Sequence, residues 1–274
     1  MGAIGGGVML LRLYVWAYLA FLMGPVALIV LFSFHSSQAL NFPFAGFSLR
    51  WYVELVTNGQ VLEAVKNSAI VALGTAVTTG ILGSMAALAF PRLSPRAKAL
   101  LSWTTFAPIA LPGLFVGISL LALFALAKVQ LSLATVTIAH VVITLPFFVV
   151  AARSRVELFD LTLEEAARDL GATPLQTFRL VTLPIIAPTL IGATIMSFAL
   201  SFDEFVVTSF VIGTESTLPM LIWSMMRRTV TPLINAVSTL ALALSVLLLA
   251  LAGLFFWIQQ RRSRQARLSE VGGG

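Results

Sequence analysis

Two adjacent carboxylates, Asp203 and Glu204, stand inside a long run of apolar residues. A charged side chain near the centre of a bilayer costs about 2.5–3.5 kcal/mol to insert, so such residues usually mark a pathway or a buried pair. The polar residues around Glu204 recur at steps of three or four: Thr194, Ser197, Ser201, Glu204 and Thr208. This spacing predicts one polar stripe along a helix, in which Glu204 could bind a cation.

The residues next to the stripe extend this hypothesis. On the same helix Asp203 would point about 100° away from Glu204, toward the edge of the stripe or a helix interface. Phe202 flanks the stripe, and the face of an aromatic ring attracts cations. We therefore take Ser201, Phe202, Asp203 and Glu204 as candidate pathway residues for a cationic substrate. The structural alternative is that either carboxylate pairs with an arginine of a neighbouring helix or lies at the headgroup level.

The rest of the chain offers few groups for catalysis. It has no cysteine, which excludes disulfides, thiolate metal sites and cysteine nucleophiles. His140 has no second histidine nearby, and a lone histidine hydrogen-bonded within a helix bundle is the more common case. The lysines, Lys66, Lys98 and Lys128, follow Val, Ala and Ala, so no P-loop occurs. We expect no enzyme activity, no metal and no other cofactor in this chain.

The elements that position these residues must lie in a membrane. Of the 274 residues, 59% are hydrophobic and only 10% are charged, and the mean hydropathy is +0.99. Soluble domains have about 25% charged residues. Several stretches exceed about 18 nearly uncharged residues, enough to cross a bilayer core of about 30 Å as a helix. The expected fold class is an all-α, polytopic membrane protein with one transmembrane domain over residues 1–274.

We predict six spans, at about 13–34, 65–90, 99–127, 131–152, 185–212 and 236–258. The first is too long for a signal-peptide core, so we expect it to be retained. Most of the 17 basic residues fall in the terminal tails and in the 91–98 and 153–184 loops. The positive-inside rule therefore places both termini and these loops in the cytoplasm. Lipid headgroups and topology explain the net charge of +6 better than nucleic acid does.

The 153–184 loop is too long for a plain connector. Thr162 to Glu165 has the pattern of a capping box, and Gly171 can adopt the left-handed conformation that ends the resulting helix, 163–170. Thr173 to Gln176 has the same pattern, with Pro174 at the first helical position. The loop is thus predicted to contain a short helix, a sharp turn and a second helix. Such a rigid elbow suits the docking of a partner protein.

These residues carry a family resemblance. Glu165-Ala166-Ala167, Gly171 and Val181-x-Leu183-Pro184 resemble the EAA signature of bacterial ABC-importer permeases, E-A-A-x(3)-G-x(9)-I-x-L-P, with valine in place of the usual isoleucine. Weaker similarities run along most of the chain: Asn67-Ser68, APIALPGLFVGISLL from Ala107, His140 with Leu145-Pro146, and SFDEFVVTSF from Ser201. Together they are most similar to the second permease of spermidine/putrescine-type importers.

The resemblance implies a type I permease subunit of the bacterial cytoplasmic membrane, surrounded by lipid. It would form half of a translocation pathway beside a second, homologous permease. The 153–184 loop, here called the coupling loop, would dock onto an ATPase dimer that binds ATP and Mg. An extracytoplasmic binding protein would deliver the substrate. The coupling residues that the resemblance implies are Glu165, Ala166, Ala167, Gly171, Leu183 and Pro184.

Three alternatives remain at this point. The two acids favour a small cation and hence a polyamine, but opines, thiamine or ferric iron are also substrates of similar permeases. A stand-alone secondary transporter would need intramembrane ionisable groups for ion coupling, and Asp203, Glu204 and His140 are few. A membrane-embedded enzyme would need clustered acids, histidines or cysteines near a membrane face, and the sequence has no such cluster.

Overall fold

The computed structural model describes residues 2–38, 43–228 and 231–271, with side chains over 9–38, 43–228, 231–247, 250–251 and 253–254. Within these ranges the regular secondary structure is helical, apart from an isolated bridge between His35 and Phe47. The all-α fold class is confirmed. The helices are α1 Gly2–Ser33, α2 Arg50–Thr57, α3 Gly59–Ala89, α4 Pro95–Ala110, α5 Gly113–Leu126, α6 Leu133–Glu157, α7 Thr162–Asp169, α8 Pro174–Thr177, α9 Leu183–Phe202, α10 Thr208–Val211, α11 Leu218–Arg228 and α12 Pro232–Val271.

Four helical segments of the described chain are long and apolar enough to cross a membrane: Met9–Ser33, Gly59–Arg92, Leu133–Glu157 and Pro174–Phe202. They overlap the first, second, fourth and fifth predicted spans. The sixth predicted span, 236–258, overlaps a shorter apolar segment, Pro232–Leu247, and its residues 255–258 lie outside the described side chains. The count of six spans stays a prediction.

The third predicted span, 99–127, is not one straight helix. α4 and α5 are bent by 109° at Leu111 and Pro112. Leu111 is extended, with φ −98° and ψ 134°. A proline disfavours the helical conformation in the residue before it and has no N–H to continue the ladder, so the helix breaks here. Pro112 therefore divides the predicted span into two helices, and the span itself stays a prediction.

The fifth predicted span, 185–212, is one continuous helix only in its first part. α9 ends at Phe202, and only a short helix, α10, follows. Between them neither glycine nor proline occurs. The interruption therefore depends on tertiary hydrogen bonds, which are described below. The predicted stripe on one helical face ends at Ser201.

Two compact units make up the chain, Met1–Glu63 with Leu221–Leu244, and Ala64–Met220 with Ser245–Gly274. In the first unit, Trp51 Nε1 donates to the carbonyl of His35 at 2.6 Å, and the hydroxyls of Ser33 and Tyr52 lie 2.7 Å apart. The large side chains of α1 are exposed, as expected for a helix that faces lipid. A single permease domain over 1–274 stays a prediction.

The second unit contains the coupling loop and both candidate acids. α9 packs along α6, with Ala87, Phe148, Ala152 and Ala193 buried between α3, α6 and α9. A second buried cluster joins Val71, Val136 and Val207. Gly117 of α5 lies so close to the ring of Phe210 that a Cβ atom there would come within 2.6 Å of it. This packing holds α9 and α10 in place around the interruption.

Candidate functional site

The turn after α7 has the geometry that the sequence predicted. Gly171 has φ +88°, a left-handed conformation that side chains disfavour. Its N–H donates to the carbonyl of Arg168 at 2.8 Å, and the N–H of Ala172 donates to that of Ala167 at 3.0 Å. These two bonds form a Schellman motif, which satisfies the last carbonyls of the helix. A Cβ at Gly171 would meet no atom within 4 Å, so its backbone conformation, and not space, requires glycine.

The start of α7 differs from the prediction. Thr162 does not cap the helix, because its hydroxyl and its N–H both donate to the Asp160 carboxylate, at 2.8 and 3.0 Å. An ionised carboxylate is a stronger acceptor than a hydroxyl, so Asp160 displaces Thr162 from the capping role. The hydrogen bond from the Thr162 hydroxyl, and then that from its N–H, lower the pKa of Asp160. The first capping box is therefore not formed.

The second capping box is confirmed. Gln176 N–H donates to the Thr173 hydroxyl at 3.4 Å, and Thr173 N–H donates to the Gln176 side chain at 2.8 Å. The helix that it starts is not separate from the membrane span, however. α8 continues through a π-helical segment, Phe178–Thr182, directly into α9. Pro184 would clash with the carbonyl four residues earlier in a regular helix, and the wider π turn relieves that clash.

The coupling loop is consequently shorter than predicted. α6 extends to Glu157, and α8 begins at Pro174. Within the predicted 153–184 loop, only residues 158–173 therefore lie between these two helices. Only α7 stands apart from the two long helices. Its position relative to them is determined by side-chain contacts.

Glu164 makes those contacts, and the sequence analysis missed it. Only 7% of this residue is exposed. Its carboxylate lies 3.1 Å from Arg92 and 3.6 Å from Arg168, and the hydroxyl of Thr182 donates to it at 2.7 Å. The i, i+4 spacing of Glu164 and Arg168 was a visible signal. Arg92 was not recognisable as a partner, because 72 residues separate it from Glu164.

The motif glutamate, Glu165, points about 100° away from Glu164 around the helix. It is exposed, as are Ala166, Gly171 and Pro184. Ala167 and Leu183 are partly buried. Two leucines beside these residues are strongly exposed, Leu170 at 90% and Leu175 at 65%. The outward face of the loop thus combines apolar side chains with the carboxylates of Glu165 and Asp169, a composition that suits a protein interface.

The two candidate acids lie at the interruption between α9 and α10. The Asp203 carboxylate accepts from the Ser245 hydroxyl at 3.3 Å. The Glu204 carboxylate accepts from the N–H of Val207 at 2.9 Å, so it caps the next turn. The Glu204 carbonyl accepts from the Thr208 hydroxyl at 2.9 Å. Neither carboxylate forms an ion pair with an arginine within 4.0 Å in the described part of the chain.

Two cavities converge on these acids. One, of about 280 Å³, is lined by Pro108, Ile109, Leu111, Gly113, Val116, Ile143, Thr144, Phe147, Leu200, Glu204 and Val207. The other, of about 540 Å³, is lined by Gly192, Ile195, Met196, Ala199, Leu200, Asp203 and Glu204. Glu204 and Leu200 line both cavities. Apolar walls with a few carboxylates suit a ligand that has both charged groups and methylene groups.

Ser201 and Phe202 line neither cavity. Ser201 is buried and hydrogen-bonds to His140, and Phe202 is buried with its ring nearly parallel to that of Phe198, 6.0 Å away. Both residues thus lie away from the two cavities, and their assignment to the pathway stays a prediction. The reason for this placement is the end of α9 at Phe202: the chain turns there, and the two acids face the cavities while the two preceding residues pack inward.

His140 is the second contributor that the sequence analysis did not assign to the site. The sequence predicted a lone histidine hydrogen-bonded inside the bundle, and this is confirmed. Its Nδ1 lies 2.7 Å from the Ser201 hydroxyl and its Nε2 lies 2.8 Å from the Thr208 hydroxyl. Within the described residues, no group of three or more histidine, aspartate or glutamate side chains has metal-binding geometry.

Comparison with known proteins gives consistent results. The profile of the family described as "binding-protein-dependent transport system inner membrane component" matches residues 79–264. The chain is 36% identical over 259 residues to the putrescine transport system permease protein PotI of Escherichia coli K12, covering 92% of this chain and 90% of that protein. It is 35% identical over 236 residues to the spermidine/putrescine transport system permease protein PotC of the same strain, covering 86% and 89%.

The fold is also similar to a solved structure. A chain of a bacterial ABC transporter involved in the import of the acidic polysaccharide alginate superposes with a TM-score of 0.72. The sequences are 14% identical, and the superposition covers 91% of this chain and 93% of the other.

Proposed function

The chain belongs to the family of binding-protein-dependent transport system inner membrane components, and from that premise we propose that it carries polyamines into the cell. As a member of this family it is a membrane permease subunit of a transport system. We further propose that it forms half of a translocation pathway, with a second, homologous permease as the other half. A separate ATPase dimer would supply energy.

The observation that carries the substrate proposal is the placement of Asp203 and Glu204. Two neighbouring carboxylates face cavities whose other walls are mostly apolar. A polyamine has ammonium groups joined by methylene chains, so carboxylates and apolar walls together complement it. Phe147, on the wall of the smaller cavity, offers a ring face to an ammonium group. The similarity to permeases named for putrescine and spermidine supports the same substrate class.

The coupling loop supports the proposal that a separate ATPase supplies the energy. The chain has no P-loop lysine, so ATP and Mg would be bound by the partner and not by this chain. Glu165, Ala166 and Gly171 lie on the exposed face, beside Leu170 and Leu175. This face would dock onto the ATPase, with Leu183 and Pro184 at the start of α9 behind it. It would stand in the cytoplasm together with both termini, as the distribution of basic residues predicts.

The experiment uses the chain co-purified with the proteins encoded beside it and reconstituted in nanodiscs with the solute-binding protein. We expect an ATPase to co-purify, and putrescine or spermidine to stimulate ATP hydrolysis. The control is 1,4-butanediol, which has the carbon chain of putrescine but no charge, and it should not stimulate. Stimulation by an opine, thiamine or ferric iron, and not by polyamines, would overturn the proposed substrate. Absence of any ATPase would favour a stand-alone transporter.

A further inference from the structure

The glutamate next to the motif, Glu164, has contacts that the proposed docking role of Glu165 does not explain. We infer that Glu164 is a positioning residue that ties α7, the separate helix of the coupling loop, to α9, the helix that ends directly before Asp203 and Glu204. The inference rests on the proposed function, because it assigns Glu164 to the transmission of ATPase movement to the pathway. Glu165 would contact the partner, and Glu164 would carry the movement inward.

The contacts of Glu164 join three separate elements. Its Oε1 accepts a hydrogen bond from the hydroxyl of Thr182, at the end of the π-helical segment, at 2.7 Å. Its Oε2 lies 3.1 Å from Arg92, in the 3₁₀ turn Phe90–Arg92 that follows α3. Arg168, on α7 itself, lies 3.6 Å from the same oxygen. Arg92 is held in turn, because it donates to the carbonyl of Leu88 at 3.0 Å.

The relative strength of these contacts indicates what Glu164 does. The side chains of Arg92 and Arg168 are 56% and 55% exposed, so solvent screens both ion pairs and each contributes little stability. The bond from Thr182 is buried, short and charge-assisted, which makes it the strongest of the three. Glu164 therefore fixes the geometry of α7 against the π-helical segment more than it adds to global stability.

The position of Thr182 makes this contact suitable for transmission. Leu183 follows it directly and begins α9, which runs without interruption to Phe202. α9 is one continuous helix of 20 residues, about 30 Å long, with Pro188 inside it. A displacement of α7 would therefore reach Asp203 and Glu204 through one hydrogen bond and one helix.

Without Glu164, the link from α7 to α8 would be the short turn Leu170–Thr173. That turn contains Gly171, which permits a wide range of backbone conformations. The two backbone hydrogen bonds of the Schellman motif end α7 but do not join it to α8, so this turn alone would absorb part of the movement of α7. The carboxylate of Glu164 adds a second link, from α7 to the π-helical segment that continues α8.

The test measures the number of ATP molecules hydrolysed per polyamine transported, in proteoliposomes containing the whole complex. We expect Glu164→Ala and Thr182→Val to raise this ratio about fivefold by slowing transport, with the amount of bound ATPase unchanged. Thr182→Ser keeps the hydroxyl and should retain the parental ratio. Glu164→Gln keeps an acceptor without its charge and should give an intermediate ratio. A merely structural defect would lower hydrolysis and transport together and leave this ratio unchanged. A raised ratio therefore indicates lost positioning and not misfolding.

The matched control is Glu157→Gln. Glu157 also pairs with an arginine four residues away, Arg153 at 2.7 Å, but it is exposed and contacts no π-helical residue. It should leave the ratio unchanged. A parental ratio in both Glu164→Ala and Thr182→Val would overturn the inference while leaving the proposed function intact. Failure of the proposed function would instead be seen in the parental complex, as an absence of ATP-dependent polyamine transport.

A second measurement does not depend on transport. The chain has no native cysteine, so spin labels can be placed at Leu163→Cys on α7 and Leu180→Cys in the π-helical segment, both exposed positions. We expect Glu164→Ala to broaden the distance distribution between the labels, and Glu157→Gln to leave it unchanged. An equally narrow distribution in the Glu164→Ala protein would contradict the tie between the two elements.

Discussion

His140 Nδ1 lies 2.7 Å from the hydroxyl oxygen of Ser201, inside the buried core of the second unit. The other ring nitrogen, Nε2, lies 2.8 Å from the hydroxyl of Thr208. Ser201 is in the last turn of α9 and Thr208 is the first residue of α10. One imidazole thus bridges the two sides of the interruption that carries Asp203 and Glu204.

The proton positions in this bridge follow from its partners. The Thr208 hydroxyl donates its proton to the carbonyl of Glu204, so it accepts from His140 Nε2–H. In the neutral ring Nδ1 is then an acceptor. Ser201 has one proton for two acceptors, Nδ1 at 2.7 Å and the Thr75 hydroxyl at 3.2 Å. The network links α3, α6, α9 and α10, so the interruption is fixed from several sides.

The first prediction concerns this bridge. His140→Leu should lower the thermal unfolding temperature and raise the KM for the transported polyamine, because it leaves the hydroxyls of Ser201 and Thr208 without their buried partner. Each hydroxyl keeps one other partner, the Thr75 hydroxyl or the Glu204 carbonyl, so the variant loses two hydrogen bonds at a net cost of about 0.5–1.5 kcal/mol each. Thermal unfolding in detergent and uptake in proteoliposomes measure the two effects.

Ser197→Ala is the matched control for that variant. Ser197 is also buried on α9, but its hydroxyl donates only to the carbonyl of Ala193 in its own helix. It should leave the KM unchanged. A parental KM in His140→Leu would show that the bridge does not position the acids.

The second prediction concerns the acids themselves. Glu204→Gln keeps an oxygen that can accept from the N–H of Val207, so the turn should survive while the negative charge is lost. Loss of one charge contact to an ammonium group should raise the KM for polyamine about tenfold. Asp203→Asn should have a smaller effect, because Asp203 lines only one of the two cavities. Uptake at the parental rate by both variants would exclude a role for either acid.

The third prediction concerns the turn at Gly171. Gly171→Asp places a side chain at φ +88°, which costs about 1–2 kcal/mol for most residues, and adds a charge to the proposed docking face. We expect normal insertion in the membrane but no uptake. Gly171→Asn tolerates the conformation better and adds no charge, so it should retain part of the activity.

Gly59→Ala is the control for the turn. A Cβ at Gly59 would meet nothing within 4 Å, and its φ is not in the left-handed range. Uptake should be unchanged in that variant. Normal uptake by Gly171→Asp would count against coupling through this loop.

The fourth prediction is a pH dependence at the start of α7. The folded pKa of Asp160 is lowered by its hydrogen bonds from Thr162, so the protection of this turn is complete above the ordinary value of about 4 and is lost as pH falls through the lowered value. Hydrogen exchange of the 158–171 segment, corrected for intrinsic rates, should show constant protection from pH 8 to pH 5. Asp160→Ala should lose that protection at every pH. A protection that changes near pH 7 would contradict this assignment.

The features that the sequence predicted correctly depend on neighbouring residues. Every helix that crosses a bilayer needs about the same number of apolar residues, so runs of that length indicated the long helices. Thr173 and Gln176 cap each other three residues apart, and Gly171 ends α7 through bonds that span at most five residues. The first capping box was wrong for an equally local reason. The Asp160 carboxylate accepts the hydrogen bond of the Thr162 hydroxyl, and the capping pattern does not include Asp160.

Only the tertiary structure decided which residues work together. Glu164, and not Glu165, is buried because Arg92 and Thr182 are brought to it from distant points in the sequence. The helix stops at Phe202 without a glycine or proline because His140 and the Glu204 side chain satisfy groups on both sides of the break. Sequence signals for caps and spans act over a few residues, whereas buried polar groups take their partners from whatever elements the fold packs against them.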